Sequence, residues 1–152
     1  MKILIKNGMI VSDSETYQAD ILIEDEKVKW IGTDLPKTDV DTVIDAEGKY
    51  VIPGAIDVHT HMDIDVGIAR AAACGGTTSI VDHMGFGPAG VPLHYQFNEY
   101  KKLTEGKAVI DYGFHGVAQH VDDDIIAELE TMAEDGIPSV KAYLTYGFKL
   151  ND

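Results

Sequence analysis

The stretch VIPGAIDVHTHM, residues 51–62, decides the fold, because the chain changes there from short strands to strands that alternate with helices. In a strand the side chains alternate between faces, so His59 and His61 point the same way, about 7 Å apart along the backbone. Two imidazoles at that spacing can share one metal ion, and imidazole is a preferred ligand of zinc and similar metals. A bare His-x-His pair is also common as two polar residues at a strand end, so the pair alone leaves both interpretations open.

Residues 1–53 predict short β-strands separated by turn residues. Three hairpins are expected, with turns at residues 7–8 (Asn-Gly), 25–26 (Asp-Glu) and 46–48 (Ala-Glu-Gly). The flanking strands are predicted at 2–6 and 9–11, at 20–24 and 27–31, and at 42–45 and 49–52. Taken alone, this segment could form an independent small β domain.

Residues 54–152 alternate strands with helices, which is typical of parallel βα units. After the strand that ends in the histidine pair, strands are predicted at 77–82, 109–115 and 139–144, with helices at 93–103 and from Asp122 onward. Four strands are half of an eight-stranded barrel, a fold of about 250 residues. We therefore predict an α/β fold in which residues 54–152 form the front half of a TIM-type (β/α)8 barrel, about four βα units, preceded by β-sandwich strands in 1–53.

An open half-barrel would expose strand edges and an apolar interior. The chain is therefore expected to be a truncated product or a fragment that buries these surfaces against other copies, and a homo-oligomer is predicted.

Composition narrows the classes of partner. The formal charge of −14 argues against nucleic acid and anionic membranes, since both need basic surfaces. No apolar run approaches the roughly 20 residues of a membrane-spanning helix, and the apolar run near Met1 is too short for a signal peptide. The single cysteine, Cys74, cannot form an internal disulfide, which suits a reducing cytosol. We expect a cytoplasmic protein whose partner is a small neutral molecule.

Several separated segments resemble one enzyme family. PGAIDVHTH (53–61), AAACGGTT (71–78) and SVKAYLTY (139–146) are similar to the hydantoinases and dihydropyrimidinases, which are metal-dependent amidohydrolases acting on cyclic amides. DHMGFGP (82–88) resembles the phenylhydantoinase branch. The similarity runs over residues 1–152 but covers only the N-terminal part of what the family carries. In that family the first strands belong to a β-sandwich that the far C-terminal end completes.

The resemblance implies a reaction and a site. The reaction is hydrolysis of a hydantoin or dihydropyrimidine ring to an N-carbamoyl amino acid. His59, His61 and Lys141 correspond to metal ligands, with Lys141 carboxylated and bridging two divalent metals, expected to be zinc. Tyr146 corresponds to the catalytic tyrosine that hydrogen-bonds the developing oxyanion. The family takes two further histidines and a carboxylate from later strands, and without them the chain is expected to hold at best one weakly bound metal.

The residues and the function assigned by resemblance also have alternative interpretations. The connection at residues 62–74 is shorter than in the family, where a longer loop shapes the substrate pocket. Lys141 could be a solvated charge and Tyr146 a packing residue. Four other histidines are interpreted as ordinary polar, supporting or surface residues: His83, His94, His115 and His120. The protein could also be a non-catalytic scaffold of the same fold, or another amidohydrolase such as a dihydroorotase or allantoinase.

Overall fold

The computed structural model describes residues 1–61, 68–85, 87–88, 90–118 and 120–143. The chain divides into two compact units, Met1–Pro53 and Gly54–Asp152. Among the described residues, no helix is both long enough and apolar enough to cross a bilayer.

The first unit is a five-stranded mixed sheet centred on its first strand. Its strands are β1 (Lys2–Val11), β2 (Thr16–Glu24), β3 (Lys27–Gly32), β4 (Thr42–Asp45) and β5 (Tyr50–Val51). The strand order is β3-β2-β1-β4, and β5 also pairs with β1. β2 is antiparallel to both β1 and β3, whereas β4 and β5 run parallel to β1. The predicted hairpin at residues 25–26 is confirmed, and Asp25 and Glu26 both have the positive φ of a tight turn.

The hairpin predicted at residues 7–8 is wrong, because β1 continues through it. Asn7 has a φ of 62°, and the pairing with β2 shifts register between Ile5 and Gly8, which marks a bulge. The Asn7 backbone N–H donates to Asp20 Oδ1 at 2.8 Å, and its side-chain Nδ2 donates to Asp45 Oδ1 at 3.0 Å. A positive-φ asparagine fits a bulge as well as a turn, so the dipeptide alone does not choose between them.

The hairpin predicted at residues 46–48 is also wrong. β4 pairs with β1 at Ile3–Lys6 in parallel register, and β5 pairs with Met9 and Ile10 of the same strand, also in parallel. The turn at 46–48 therefore carries the chain onward along one edge of β1 instead of reversing it. The gap in pairing falls at the Asn7 bulge.

A buried carboxylate anchors this sheet. Asp20 is buried and forms an ion pair with Lys6 Nζ at 2.9 Å, and Asp20 Oδ2 also accepts a hydrogen bond from the Leu35 backbone N–H at 2.9 Å. Burial raises the pKa of Asp20, but the hydrogen bonds from Asn7, Lys6 and Leu35 outweigh it, so the pKa lies below its usual value. The charged form is thus the one that the fold stabilises.

The second unit confirms the predicted half-barrel. Its elements are β6 (Ala55–Thr60), α1 (Ile68–Cys74), β7 (Thr77–His83), α2 (Leu93–Thr104), β8 (Asp111–Ala118), α3 (Asp123–Met132) and β9 (Val140–Ala142). Within the described residues, the four strands form a parallel sheet in the order β6-β7-β8-β9. As predicted, an aspartate begins the last helix: the Asp122 side chain accepts from the Ile125 N–H at 2.9 Å.

The apolar core of this unit joins the sheet to α2 and α3. Ile80 of β7 and Phe114 of β8 pack with Tyr100 of α2 and Met132 of α3. A close approach occurs at Gly54, where an added Cβ would overlap the Thr78 side chain. Glycine before β6 therefore lets this strand begin directly against β7.

Candidate functional site

The register of the sheet separates two sets of side chains at the C-terminal ends of the strands. Thr60 pairs with Asp82, and Asp82 pairs with Phe114, which belongs to the apolar core against the helices. The next residue along each strand points to the opposite face. His83 and His115 are directly paired there, following Asp82 and Phe114, and His61 follows Thr60 in the same way. Three neighbouring strands thus carry histidines on one face, at or near their C-terminal ends.

The His59–His61 pair has a geometry that suits a shared metal ion. Their ring centroids lie 5.4 Å apart, with an angle of 64° between the ring planes. Two imidazoles on one tetrahedral zinc, with Zn–N bonds of about 2.0 Å, hold their centroids about 5 Å apart. The His59 backbone N–H donates to Asp57 Oδ1 at 3.0 Å, which fixes the backbone just before the pair.

His83 adds a third imidazole to this pair. Its ring centroid is 4.0 Å from that of His59, with the planes at 30°, and 6.0 Å from that of His61. Burial, followed by the neighbouring positive charges of His59, His115 and Lys141, lowers the pKa of His83 to about 4. His83 is therefore a neutral imidazole at neutral pH.

Lys141 reaches the same cluster from β9. It pairs with Val117 of β8, and its charge is among those that lower the pKa of His83. Its Nζ lies 4.8 Å from the centroid of the Tyr143 ring. The structure thus brings the first and fourth strands of the half-barrel to one electrostatic neighbourhood.

His115 extends the row of imidazoles towards β9. Its ring centroid is 4.5 Å from that of His83, and its Nδ1 hydrogen-bonds Ser139 Oγ. The backbone N–H of Gly116 also donates to the Ser139 carbonyl at 3.0 Å. These two bonds hold the end of β8 against the start of β9, on the face that carries the histidines.

A buried hydrogen bond lies on the other face, directly behind the histidines. Thr60 Oγ1 donates to Asp82 Oδ1 at 2.9 Å, and both side chains are buried. Because Thr60 lies between His59 and His61, this bond ties the metal-ligand candidates to β7. Strand alternation explains why Thr60 and Asp82 face inward to the packed layer while their neighbours face the cluster.

The predicted site residues fall into three groups. His59 and His61 come together, and Lys141 lies within electrostatic range of the cluster. Tyr146 lies outside the described residues. His83 and His115, which the sequence indicated as ordinary polar or supporting residues, contact each other, and His83 also contacts His59. Their position at the ends of consecutive predicted strands is the signal that could have identified them.

The described side chains supply only part of a metal site. Within the described ranges, no group of three or more His, Cys, Asp or Glu side chains is arranged to hold a metal ion. Two imidazoles at a suitable separation, with a lysine close by, fit part of a metal site.

The remaining histidines have structural partners. His94, expected at the surface, is about one-third exposed and lies between two carboxylates: its Nδ1 is 2.9 Å from Glu128 Oε2 and its Nε2 is 2.8 Å from Asp135 Oδ2. The hydrogen bond to Glu128, followed by that to Asp135, raises the pKa of His94. His120 Nε2 lies 3.2 Å from Asp122 Oδ2. The contacts of His94 join α2 to α3 and to the turn after α3, and the contact of His120 lies on the approach to α3.

Comparison with known proteins identifies similar sequences and similar solved structures. No family model matches the chain. D-phenylhydantoinase of Escherichia coli O1:K1 / APEC is 51% identical over 162 residues, covering 100% of this chain and 35% of that protein. A crystal structure of D-hydantoinase matches with a TM-score of 0.87 at 41% identity, covering 96% of this chain and 34% of its own. The dihydropyrimidinase from Brevibacillus agri NCHU1002 matches with a TM-score of 0.89 at 45% identity, covering 96% of this chain and 34% of its own.

The chain therefore spans about a third of the length of these relatives. The alignment with the E. coli protein covers 162 residues against 152 in the chain, so that relative carries residues without a counterpart here. The short connection between His61 and Gly75 is one place where such residues would fall.

Proposed function

The chain belongs to the hydantoinase and dihydropyrimidinase family of amidohydrolases, and on this premise we propose that the protein hydrolyses a cyclic amide, a hydantoin or a dihydropyrimidine, to an N-carbamoyl amino acid. One water is consumed: its oxygen joins the carbonyl carbon, the ring C–N bond breaks, and the nitrogen takes up a proton. The observation that carries this proposal is the His59–His61 pair, whose rings lie 5.4 Å apart at the end of β6.

His59 and His61 would hold a divalent metal, expected to be zinc, and carboxylated Lys141 would bridge it to a second. Carboxylation joins CO₂ to the neutral Nζ amine and releases a proton, so a positive side chain becomes a negative one. That change removes the like-charge repulsion between Lys141 and the neighbouring imidazoles. Such metals, when bound, acidify a water molecule and polarise the amide carbonyl.

Tyr146 would complete the part of the site contributed by this chain. Its position five residues after Lys141 is the basis for the assignment, which rests on the family resemblance. Its hydroxyl would donate a hydrogen bond to the oxygen that gains charge as the carbonyl carbon becomes tetrahedral.

Ring opening and metal content in the full-length gene product test this proposal together. Phenylhydantoin and dihydrouracil are incubated with zinc-loaded protein, and the N-carbamoyl products are quantified while bound metal is measured by plasma emission spectroscopy. His59→Asn and His61→Asn are expected to lower both metal content and turnover, because each removes one imidazole ligand. His120→Asn is the matched control, because His120 lies on the approach to α3 and contacts Asp122.

Three outcomes would count against the enzyme assignment. A metal-free protein without ring opening would favour the non-catalytic scaffold. Turnover of dihydroorotate or allantoin alone would favour a different amidohydrolase. Loss of metal from His120→Asn equal to that from His59→Asn would show that the His59–His61 pair is not the site.

We also propose that the protein acts in the cytoplasm as a homo-oligomer. The first sheet exposes large apolar side chains, including Trp30 at 63% and Tyr50 at 75% of their surface. Exposed apolar groups of this size favour burial against further protein surface. Light scattering coupled to gel filtration of the full-length gene product measures the assembly, and a monomer at micromolar concentration would contradict it.

A further inference from the structure

A small open pocket lies between α2, β8 and the turn after α3. Its volume is about 210 Å³, and its lining includes Phe97 and Lys101 of α2, Tyr112 and Phe114 of β8, and Asp135. Pockets for drug-sized ligands have about 300–1,000 Å³, so this one suits a smaller molecule, such as a single ring with a short substituent. Because Phe114 belongs to the packed face of β8, the pocket lies on the side of the sheet opposite the histidine row.

Three aromatic side chains make the interior of this pocket apolar. Phe114 is buried, and the rings of Phe97 and Tyr112 both pack against it, with centroids 5.9 and 5.5 Å away and planes at 78° and 58°. Tyr112 keeps 36% of its surface exposed. Aromatic rings favour edge-to-face and offset contacts with a further ring, so the interior favours an aromatic ligand.

Lys101 adds a cation at the edge of the aromatic interior. Its Nζ lies 5.9 Å from the centroid of the Phe97 ring, and Lys101 forms no ion pair with any residue in the described ranges. The adjacent Lys102 differs, because its Nζ forms an ion pair with Glu99 at 2.6 Å. An ammonium group offers three donors and a carboxylate offers only acceptors. Lys101 is thus available to bind a carboxylate.

The other charged group of the pocket already has a partner. Asp135 Oδ2 lies 2.8 Å from His94 Nε2, and the raised pKa of His94 favours the protonated ring beside this carboxylate. The remaining negative charge of the chain acts from a distance, and physiological salt screens exposed charges beyond about 8 Å. Lys101 is therefore the charge that a ligand in this pocket would meet unpaired.

We propose that this pocket is a second binding site, which takes a small aromatic carboxylate. The ligand ring packs against Tyr112 and Phe97, and its carboxylate accepts hydrogen bonds from Lys101 Nζ. A neutral ring leaves Lys101 without its partner, and an aliphatic anion lacks the contacts between rings, so the site selects for both features together. The site is separate from the candidate active site, and the proposal does not depend on the proposed function.

Phenylacetate and phenylacetamide test this proposal, because they have nearly the same shape and differ in charge. Each is titrated into the full-length gene product as purified, and its dissociation constant is measured by ligand-observed NMR. Lys101→Met keeps an apolar stem but removes the ammonium group, with Lys102→Met as the matched control. Tyr112→Ala removes one ring, and its control is Tyr95→Ala, because Tyr95 is exposed on α2 outside the lining of this pocket.

The expected result is a weak site with a clear preference for the anion. Phenylacetate should bind the wild type with a dissociation constant of about 1 mM, the range of a small ligand, and phenylacetamide about fivefold more weakly. Lys101→Met and Tyr112→Ala should each weaken phenylacetate binding about fivefold, whereas both controls should bind like the wild type. In Lys101→Met the preference for phenylacetate over phenylacetamide should disappear, which a general loss of stability would not produce.

Four results would overturn the assignment. They are no phenylacetate binding at about 10 mM, an affinity far below that of a small-ligand site; equal affinity of the wild type for the two ligands; equal weakening by Lys102→Met and Lys101→Met; and unchanged binding in both Lys101→Met and Tyr112→Ala. The last of these would place the bound phenylacetate elsewhere on the protein. Ring opening by the same preparations is measured in parallel, so failure of this site leaves the proposed function untouched.

Discussion

Replacing Thr60 by valine tests whether the bond behind the histidines holds the site together. The Thr60 hydroxyl donates at 2.9 Å to Asp82, and both side chains are buried. Valine keeps the shape of threonine but cannot donate. Asp82 Oδ1 then loses this donor in a buried place where water does not replace it easily.

The expected loss of stability is about 2 kcal/mol, because removing a hydrogen-bond donor from a buried acceptor costs about 1–3 kcal/mol. If this change lowers the free energy of local opening of β6, the backbone amides of β6 should exchange about thirtyfold faster in Thr60→Val than in the wild type. Metal retention by His59 and His61 should fall as well, since the strand that carries them opens more often.

Hydrogen–deuterium exchange read by mass spectrometry over Ala55–Thr60 measures this directly. Thr78→Val is the matched control: Thr78 is an exposed threonine on β7, and no described residue hydrogen-bonds its hydroxyl. Unchanged exchange in Thr60→Val would refute the reasoning. Equal acceleration in Thr78→Val would show that threonine replacement in this sheet, and not the Asp82 contact, is responsible.

Two further predictions concern contacts outside the histidine row. The pKa of His94 is raised above 6.5 by Glu128 and then by Asp135, so its ionic contacts stabilise the fold fully below about pH 6.5 and weaken as pH rises through the raised pKa. The difference in melting temperature between wild type and His94→Gln should therefore shrink on going from pH 6 to pH 9, and a constant difference would contradict this. Gly54→Ala should destabilise the protein by about 1–3 kcal/mol in urea titrations, because the added Cβ overlaps Thr78. Gly113→Ala, where an added Cβ meets nothing within 4 Å, should be tolerated.

The sequence predicts the alternating half of the fold well, because each element there is signalled locally. The β-branched run at 77–82 predicts β7, and the aspartate before α3 predicts the start of that helix, in both cases from local sequence alone. The first unit is harder, since its strand partners are chosen over long distances. Asn7 and the turn at 46–48 both suit hairpins locally. However, β1 pairs with three other strands, so Asn7 forms a bulge within β1, and the turn at 46–48 connects two strands that both run parallel to β1.

For the site, the sequence indicated the His59–His61 pair but not that His83 and His115 lie beside it. Recognising His83 and His115 as neighbours requires the register between β7 and β8, which places them directly opposite each other. No periodicity within one strand contains that information. The partnership of Thr60 with Asp82 is hidden for the same reason.

The division of the strand ends into two faces also affects how this protein can vary. Residues 60, 82 and 114 contribute to the packed side, whereas 61, 83 and 115 form the histidine side. Consecutive residues in these strands therefore contribute either to folding or to the candidate site. A complete substitution library scored in parallel for abundance and for turnover should show alternate positions in these strands responding to different selections. New substrate preferences could then arise through the second set while the first keeps the protein folded.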